Sequence, residues 1–352
     1  MPLNSYLTLG RSGLRVSPLC LGTMTFGTEW GWGADENASA AIFDAYVQAG
    51  GNFIDTADGY TNGKSEEICG RLIRDRGLRD RIVLATKYTF NAQPGNPNAG
   101  GNGRKNAFRA LEGSLRRLQT DYVDLYWMHA WDQITPVEEV MATFDAMVRS
   151  GKVRYVGFSD VPAWYAARAC TIAQFGHTEP VIALQLEYSL VERTIEREHI
   201  PFAREFGLGI CPWSPLASGF LAGKYKRSEP GGGRLDTMNT SGNTVFEKLT
   251  DRNFRILDVL LEVAQKVGRP PAEVALNWAV TQPGVSSVII GATKTSQIES
   301  NLRALDFTIP PELRARLDEG SRPERAHPYM FFGQPFTDMI NGNVPVRGWS
   351  AQ

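Results

Sequence analysis

Asp55, Tyr60, Lys87 and His129 are side chains of the kinds that move protons, and each falls at or just past the end of a short apolar run. The runs are 52–55, with Tyr60 in the loop that follows, 82–87 and 123–129. If these runs are parallel neighbouring strands, their ends lie ~5 Å apart and the four groups can converge on one atom. A phenol has a reference pKa of ~10, and moving it ~3 units toward neutrality takes roughly 4 kcal/mol. One ammonium ~4 Å away supplies about 4 kcal/mol at an effective dielectric of ~20. Lys87 is therefore expected to draw the Tyr60 pKa down, with Asp55 as the counter-charge that a lysine ending an apolar strand requires. His129, one strand further on, can donate a hydrogen bond to a carbonyl oxygen. Such a set protonates an oxygen that is gaining negative charge, the second half of a carbonyl reduction. No side chain supplies the hydride of the first half, so a nicotinamide cofactor is implied. Taken singly, the aspartate reads equally as a helix cap, the tyrosine as packing, and the lysine and histidine as satisfied structural groups. The combination carries the functional reading.

The elements that must position these groups alternate. After a small hairpin within residues 1–18 (Tyr6 to Leu9, a turn at Gly10-Arg11-Ser12-Gly13, then Leu14 to Val16), strands are expected at 19–22, 52–55, 82–87, 123–129, 153–158, 181–187, 208–213 and 285–290. Helices are expected between and after them at 36–49, 64–76, 104–118, 136–150, 162–174, 195–206, 252–267, 271–281 and 295–305. Ser150-Gly151 and Phe206-Gly207 are helix stops. Eight strand-then-helix units predict an α/β fold, a closed (β/α)8 TIM barrel, with 1–352 as one domain. Two segments break the rhythm: a long loop at 217–250, after the seventh barrel strand, and a tail at 320–352. The tail carries Tyr329, Phe331, Phe332, Phe336 and Trp349 and is expected to fold over the barrel mouth.

Composition sets the bounds. The chain has 352 residues, 42% of them hydrophobic, and a net charge of −1, which gives no electrostatic case for nucleic acid or a membrane surface. The N-terminus lacks a signal-peptide pattern and no apolar stretch approaches a membrane span, so a soluble cytoplasmic protein is expected. Cys20, Cys69, Cys170 and Cys211 are far apart and expected to stay reduced. The four histidines form no HxH or HExxH pair, so no metal site is expected. Gly59 to Ser65 is one residue short of a P-loop, Gly31 to Glu36 lacks the third glycine of a dinucleotide fingerprint, and no GxSxG elbow occurs.

The chain resembles the aldo-keto reductase family to about residue 310. The resemblance lies in Leu21-Gly22-Thr23-Met24, Asp55-Thr56-Ala57-Asp58-Gly59-Tyr60, Ala85-Thr86-Lys87, Leu125-Tyr126-Trp127-Met128-His129, Val156-Gly157-Phe158-Ser159, Gln185, Pro212-Trp213-Ser214-Pro215-Leu216, and Gly291-Ala292-Thr293 with Gln297 and Asn301. It implies an NAD(P)H-dependent reductase in which Tyr60 is the general acid, supported by Asp55, Lys87 and His129. It places Gly22, Thr23, Met24 and Asp55 along the cofactor, Ser159, Asp160 and Gln185 on the nicotinamide carboxamide, and Trp213 against its ring. The loop from Ser214 through Pro215, Leu216, Ser218 and Gly219 would cover the pyrophosphate. Gly291, Ala292, Thr293, Lys294, Gln297 and Asn301 would hold the adenosine phosphate end, where a helix N-terminus also suits phosphate.

This chain departs from the pattern twice. Many relatives carry Ser-Asn where Ser159-Asp160 stands, and a carboxylate accepts from the carboxamide NH2 but cannot donate to its oxygen. Some branches use arginine at the position of Gln297 for the 2′-phosphate of NADP; here Lys294, or Lys224, Lys226 and Arg227, could replace it. NADPH is the expected cofactor, with NADH possible. Trp30, Trp32, Tyr88, Phe90, Trp131 and Phe331 are the expected substrate-pocket residues, suited to a flat or carbohydrate-like carbonyl compound. The resemblance also admits a different class, a cofactor-binding regulatory subunit of a membrane channel with vestigial turnover. Retention of all four catalytic groups, and a start without an N-terminal extension, favour the enzyme.

Overall fold

The computed structural model describes residues 1–227, 235 and 247–346. An N-terminal hairpin pairs β1 (Leu7–Thr8) with β2 (Arg15–Val16). Eight strands follow: β3 (Leu19–Gly22), β4 (Phe53–Asp55), β5 (Val83–Tyr88), β6 (Val123–Met128), β7 (Val153–Ser159), β8 (Val181–Glu187), β9 (Gly209–Trp213) and β10 (Val288–Ile290). All run parallel, in the order β10-β3-β4-β5-β6-β7-β8-β9. The ring closes where Val285, just before β10, bridges Ile210 of β9: Ser286 N donates to Ile210 O at 2.9 Å, and Ile210 N to Gly284 O at 3.0 Å. The chain is a (β/α)8 barrel. The expected strand 285–290 is thus divided, because its first residue pairs with β9 and its last three with β3.

Period-2 alternation sorts the strand residues into two layers. Phe53, Val83, Ala85, Leu125, Trp127, Cys211 and Ile289 point into the barrel, joined from below by Leu9 and Val16 of the hairpin, which plugs the N-terminal end. Ile54, Leu84, Tyr88, Tyr126, Met128 and Ile210 point outward, onto the helices. The helices begin where local chemistry dictates. Asp35 accepts from Ala38 N at the start of Glu36–Gln48, Thr250 from Asn253 N at the start of Asp251–Val267, and prolines open Pro271–Val280 and Pro311–Gly320. The last of these helices was not expected from the sequence. The helix expected at 195–206 begins at His199, preceded by a separate turn at Thr194–Glu196.

The described part of the tail bonds the segment that follows β8, with Arg197 donating to Glu324 O. Its rings pack on one another, Phe331 against Phe336 and His327, and Tyr329 bonds Glu198. No described tail residue lines the cavity at the barrel mouth. Trp349 and much of the 217–250 loop lie outside the described residues. Among the described residues no helix is long and apolar enough to cross a membrane.

Inside the barrel, Gly157 of β7 stands opposite Trp127 of β6, and a Cβ at 157 would lie 2.3 Å from the indole. Trp127 is fully buried and has no room to give. Gly157→Ala is expected to lower stability by about 1–3 kcal/mol, seen as a lower urea midpoint at unchanged slope.

Candidate active site

Parallel register puts the chemistry at one end of the barrel. Gly22 pairs with Asp55, Asp55 with Ala85, Lys87 with Trp127 and Ser159 with Gln185, so the C-terminal ends of successive strands present their last inward residues together. The Lys87 side chain is entirely buried. Its Nζ donates to Asp55 Oδ2, to Thr56 O at 2.9 Å and to the Tyr60 hydroxyl at 3.2 Å. The other Asp55 oxygen accepts from Gln185 Nε2 at 3.0 Å. His129 N donates to Tyr88 O at 2.9 Å, continuing the β5–β6 ladder, and the imidazole meets the Tyr60 ring edge-on, with centroids 5.8 Å apart. All four groups therefore converge. The buried Nδ1 of His129 makes no hydrogen bond.

The electrostatics correct one expectation. Burial pushes the Tyr60 phenol upward, Lys87 opposes it, Asp55 adds to the rise, and the net pKa lies above the ordinary tyrosine range. The ammonium offsets a desolvation cost that the sequence could not display. Burial holds His129 well below the usual histidine range, with Lys87 adding to the drop, so the ring is neutral. Burial alone would lower Lys87; Asp55 and Tyr60 outweigh it and hold the ammonium above its ordinary range. Burial raises Asp160 to about 7, against the hydrogen bond that Trp213 Nε1 donates to Oδ1 at 3.1 Å.

Above these groups opens a cavity of about 1180 Å³. Tyr60, Asp55 and His129 line it, with Trp30, Trp32 and Phe90 forming an aromatic wall: Phe90 is 4.8 Å from His129, and Trp30 is 5.7 Å from Trp32 and 6.4 Å from Tyr60 between centroids. Gly22, Met24, Ser159, Asp160, Gln185, Trp213, Ser214, Pro215, Leu216, Ser218, Gly219 and Lys224 continue it. Gly291, Ala292, Thr293, Gln297 and Asn301 line its far end. The turn after β9 is built by left-handed backbone at Ser214 (φ 51) and Ser218 (φ 56), with Ser218 N donating to Ser214 Oγ at 3.1 Å.

Seven expected residues lie elsewhere, the exposed Lys226 among them. Tyr88 follows an inward-pointing Lys87 and must face outward, where it stacks on Tyr126, fully buried. Trp131 packs among Trp164 and Tyr165 on the helix side, and Phe331 stays within the tail. Thr23 is buried, its hydroxyl donating to Asp55 O at 3.0 Å, which supports the site from behind. Arg227 pairs with Asp258, and Lys294, the cap of helix Thr295–Leu302, is not among the lining residues. Ala272, Leu276 and Ser300 line the cavity without having been singled out. Ser300 was accessible to sequence reasoning, since it lies one helical turn from Gln297.

The lining fits a dinucleotide. One end presents a carboxamide-sized polar cluster (Ser159, Asp160, Gln185) beside the indole of Trp213, and the other presents a helix N-terminus with Lys224 in reach of the intervening turn. Among the described residues no group of three or more His, Cys, Asp or Glu could hold a metal ion.

Comparison with known proteins agrees with this geometry. The probable voltage-gated potassium channel subunit beta of Oryza sativa subsp. japonica is 38% identical over 92% of this chain and 99% of the relative. The uncharacterized oxidoreductase YrpG of Bacillus subtilis is 37% identical over 89% of this chain and 95% of the relative. A Phanerodontia chrysosporium protein named aryl-alcohol dehydrogenase (NADP(+)) is 34% identical over 91% of this chain and 86% of its own length. The family model described as Aldo/keto reductase family matches residues 18–322, and the chain belongs to that family.

Proposed function

We propose that this protein reduces aldehydes or ketones to alcohols with NADPH, and that its preferred substrates are flat aromatic carbonyl compounds. The observation that carries the reading is the buried Lys87 ammonium touching both Asp55 and the Tyr60 hydroxyl on the floor of a large cavity, beside a neutral His129. When bound, the reduced nicotinamide would supply a hydride to the carbonyl carbon. Tyr60 hydrogen-bonds the carbonyl oxygen and gives it a proton as negative charge develops there. A phenol held above its ordinary range is fully protonated at neutral pH, the form a general acid must have. As the proton leaves, the Lys87 contact changes from a bond to a neutral oxygen into one to a phenolate, a gain of about 4 kcal/mol at ~4 Å and an effective dielectric of ~20. His129 orients the oxygen as a neutral donor. Asp55 and Thr56 O hold Lys87 in place, and Gln185 holds Asp55.

The aromatic wall of Trp30, Trp32 and Phe90 favours planar, uncharged substrates, and the name of the Phanerodontia relative supports that class. The resemblance to the rice protein favours a second reading, a regulatory subunit that binds the cofactor and turns over weakly. For the coenzyme, Lys224 is a cavity-lining cation that supports a preference for the extra phosphate of NADPH.

Aryl aldehydes are expected to be reduced with consumption of NADPH; tight binding without turnover on any aldehyde would instead favour the regulatory reading. Tyr60→Phe is expected to lower kcat by about 10²–10⁴-fold while the Kd for NADPH stays within roughly twofold. Lys224→Ala is expected to raise the KM for NADPH by about tenfold and leave that for NADH nearly unchanged. Because His129 is held low, its imidazole is expected to show no titration by NMR between about pH 8 and 5, where an unperturbed histidine titrates near ~6.5.

A further inference from the structure

We propose that the carboxylate of Asp160 biases the site toward the oxidised coenzyme, by placing a negative charge beside the ring that becomes cationic when hydride leaves it. The inference rests on the coenzyme reading given above. An asparagine could make the same hydrogen bonds without that charge, so the carboxylate adds an electrostatic function to a binding position.

The geometry supports it in three ways. Asp160 directly follows β7 in a left-handed conformation, φ 45, which aspartate tolerates better than most residues. Its backbone N–H donates to Gln185 O at 3.2 Å and its Oδ1 accepts from Trp213 Nε1 at 3.1 Å, so the carboxyl is pinned between the polar cluster and the indole. It lines the cavity and its side chain is exposed there. Moreover, Asp160 contributes to the upward push on Tyr60, which places it within electrostatic reach of the proton donor. The charged groups around it are Lys87, paired with Asp55, and Glu187 of β8, paired with Lys248 at 2.8 Å; the remaining neighbours, Trp213, Ser159 and Tyr60, are neutral. Lys87 is already neutralised by Asp55, so the sign of the local field turns on Asp160 itself. With burial raising it to about 7, Asp160 is neutral in mild acid and charged in mild alkali.

The balance of the step explains the consequence. The carbonyl carbon gains a C–H bond and two electrons, its oxygen takes the proton of Tyr60, and the nicotinamide ring loses a C–H bond and is left with one positive charge. An anionic Asp160 stabilises that positive charge, so it makes the bound reduced coenzyme a stronger hydride donor. It also tightens binding of the oxidised coenzyme relative to the reduced one.

The test is the ratio of dissociation constants for NADPH and NADP+, measured by quenching of tryptophan fluorescence at about pH 5.5 and 8.5, either side of neutrality. Titration of the coenzyme's own phosphates is common to both forms and cancels in the ratio. In the parent protein NADP+ is expected to gain on NADPH by about tenfold from the lower to the higher pH. In Asp160→Asn, which keeps an acceptor for Trp213, the ratio is expected to be flat and near the parent's low-pH value. A parent ratio at pH 8.5 equal to that of Asp160→Asn overturns the inference. The same slope persisting in Asp160→Asn overturns it too, and assigns the effect to another group such as Glu187. If the parent binds neither nucleotide, the coenzyme reading itself falls, and this inference with it.

Discussion

The buried ion pair between Lys87 and Asp55 is the constraint on which the rest of the site depends. An ammonium with no solvent exposure is tolerable only if its protons and charge are satisfied, and Asp55, Thr56 O and the Tyr60 hydroxyl do this together. Removing one partner of such a pair strands the other charge, at a cost of about 3–5 kcal/mol. The β4–β5 register therefore cannot slip by one residue, because a slip would turn Lys87 outward among the apolar side chains of the helix layer. Barrel geometry and proton chemistry are one requirement in this molecule. Tyr60 is fixed because the ammonium needs a third acceptor, and the ammonium is fixed because the barrel end needs a counter-charge for Asp55.

The cavity grades from apolar to polar along its length. Trp30, Trp32 and Phe90 surround the reacting end, while the turn after β9 and the start of helix Thr295–Leu302 supply polar backbone and side chains at the other. Gln297 is committed locally, its Oε1 accepting from Thr293 N at 2.8 Å and from the Thr293 hydroxyl at 3.2 Å, so it shapes the turn as well as lining the cavity. A ligand with a planar uncharged head and an anionic tail matches this gradient.

Much of this was legible in the residues. The eight strands and their order follow from spacing and apolar runs, and the convergence of the four proton-handling groups follows from strand ends that neighbour one another. What failed did so for identifiable reasons. Residue type alone suggests Tyr88 for the pocket, but period-2 alternation after an inward Lys87 gives it the opposite face. The direction of the Tyr60 shift is not legible in residue types, because burial, a property of the folded chain alone, outweighs the single ammonium. Helix Pro311–Gly320 announces itself with two prolines at its start, yet it buries little more than Leu317 and so lacks a strong apolar stripe. The tail, whose described aromatics pack on each other, offers no period that could reveal where it docks.

Two carboxylates at the same barrel mouth show how environment divides labour between identical groups. Asp55 sits between a cationic donor and the Gln185 amide and is committed as a structural counter-charge. Asp160 has one neutral donor, Trp213, on one oxygen, and Glu187 nearby. A nearby ammonium favours the charged form of a carboxylate, whereas a neutral donor does so more weakly. The barrel mouth therefore holds an ion pair beneath the Tyr60 hydroxyl and a carboxylate bonded by the indole of Trp213.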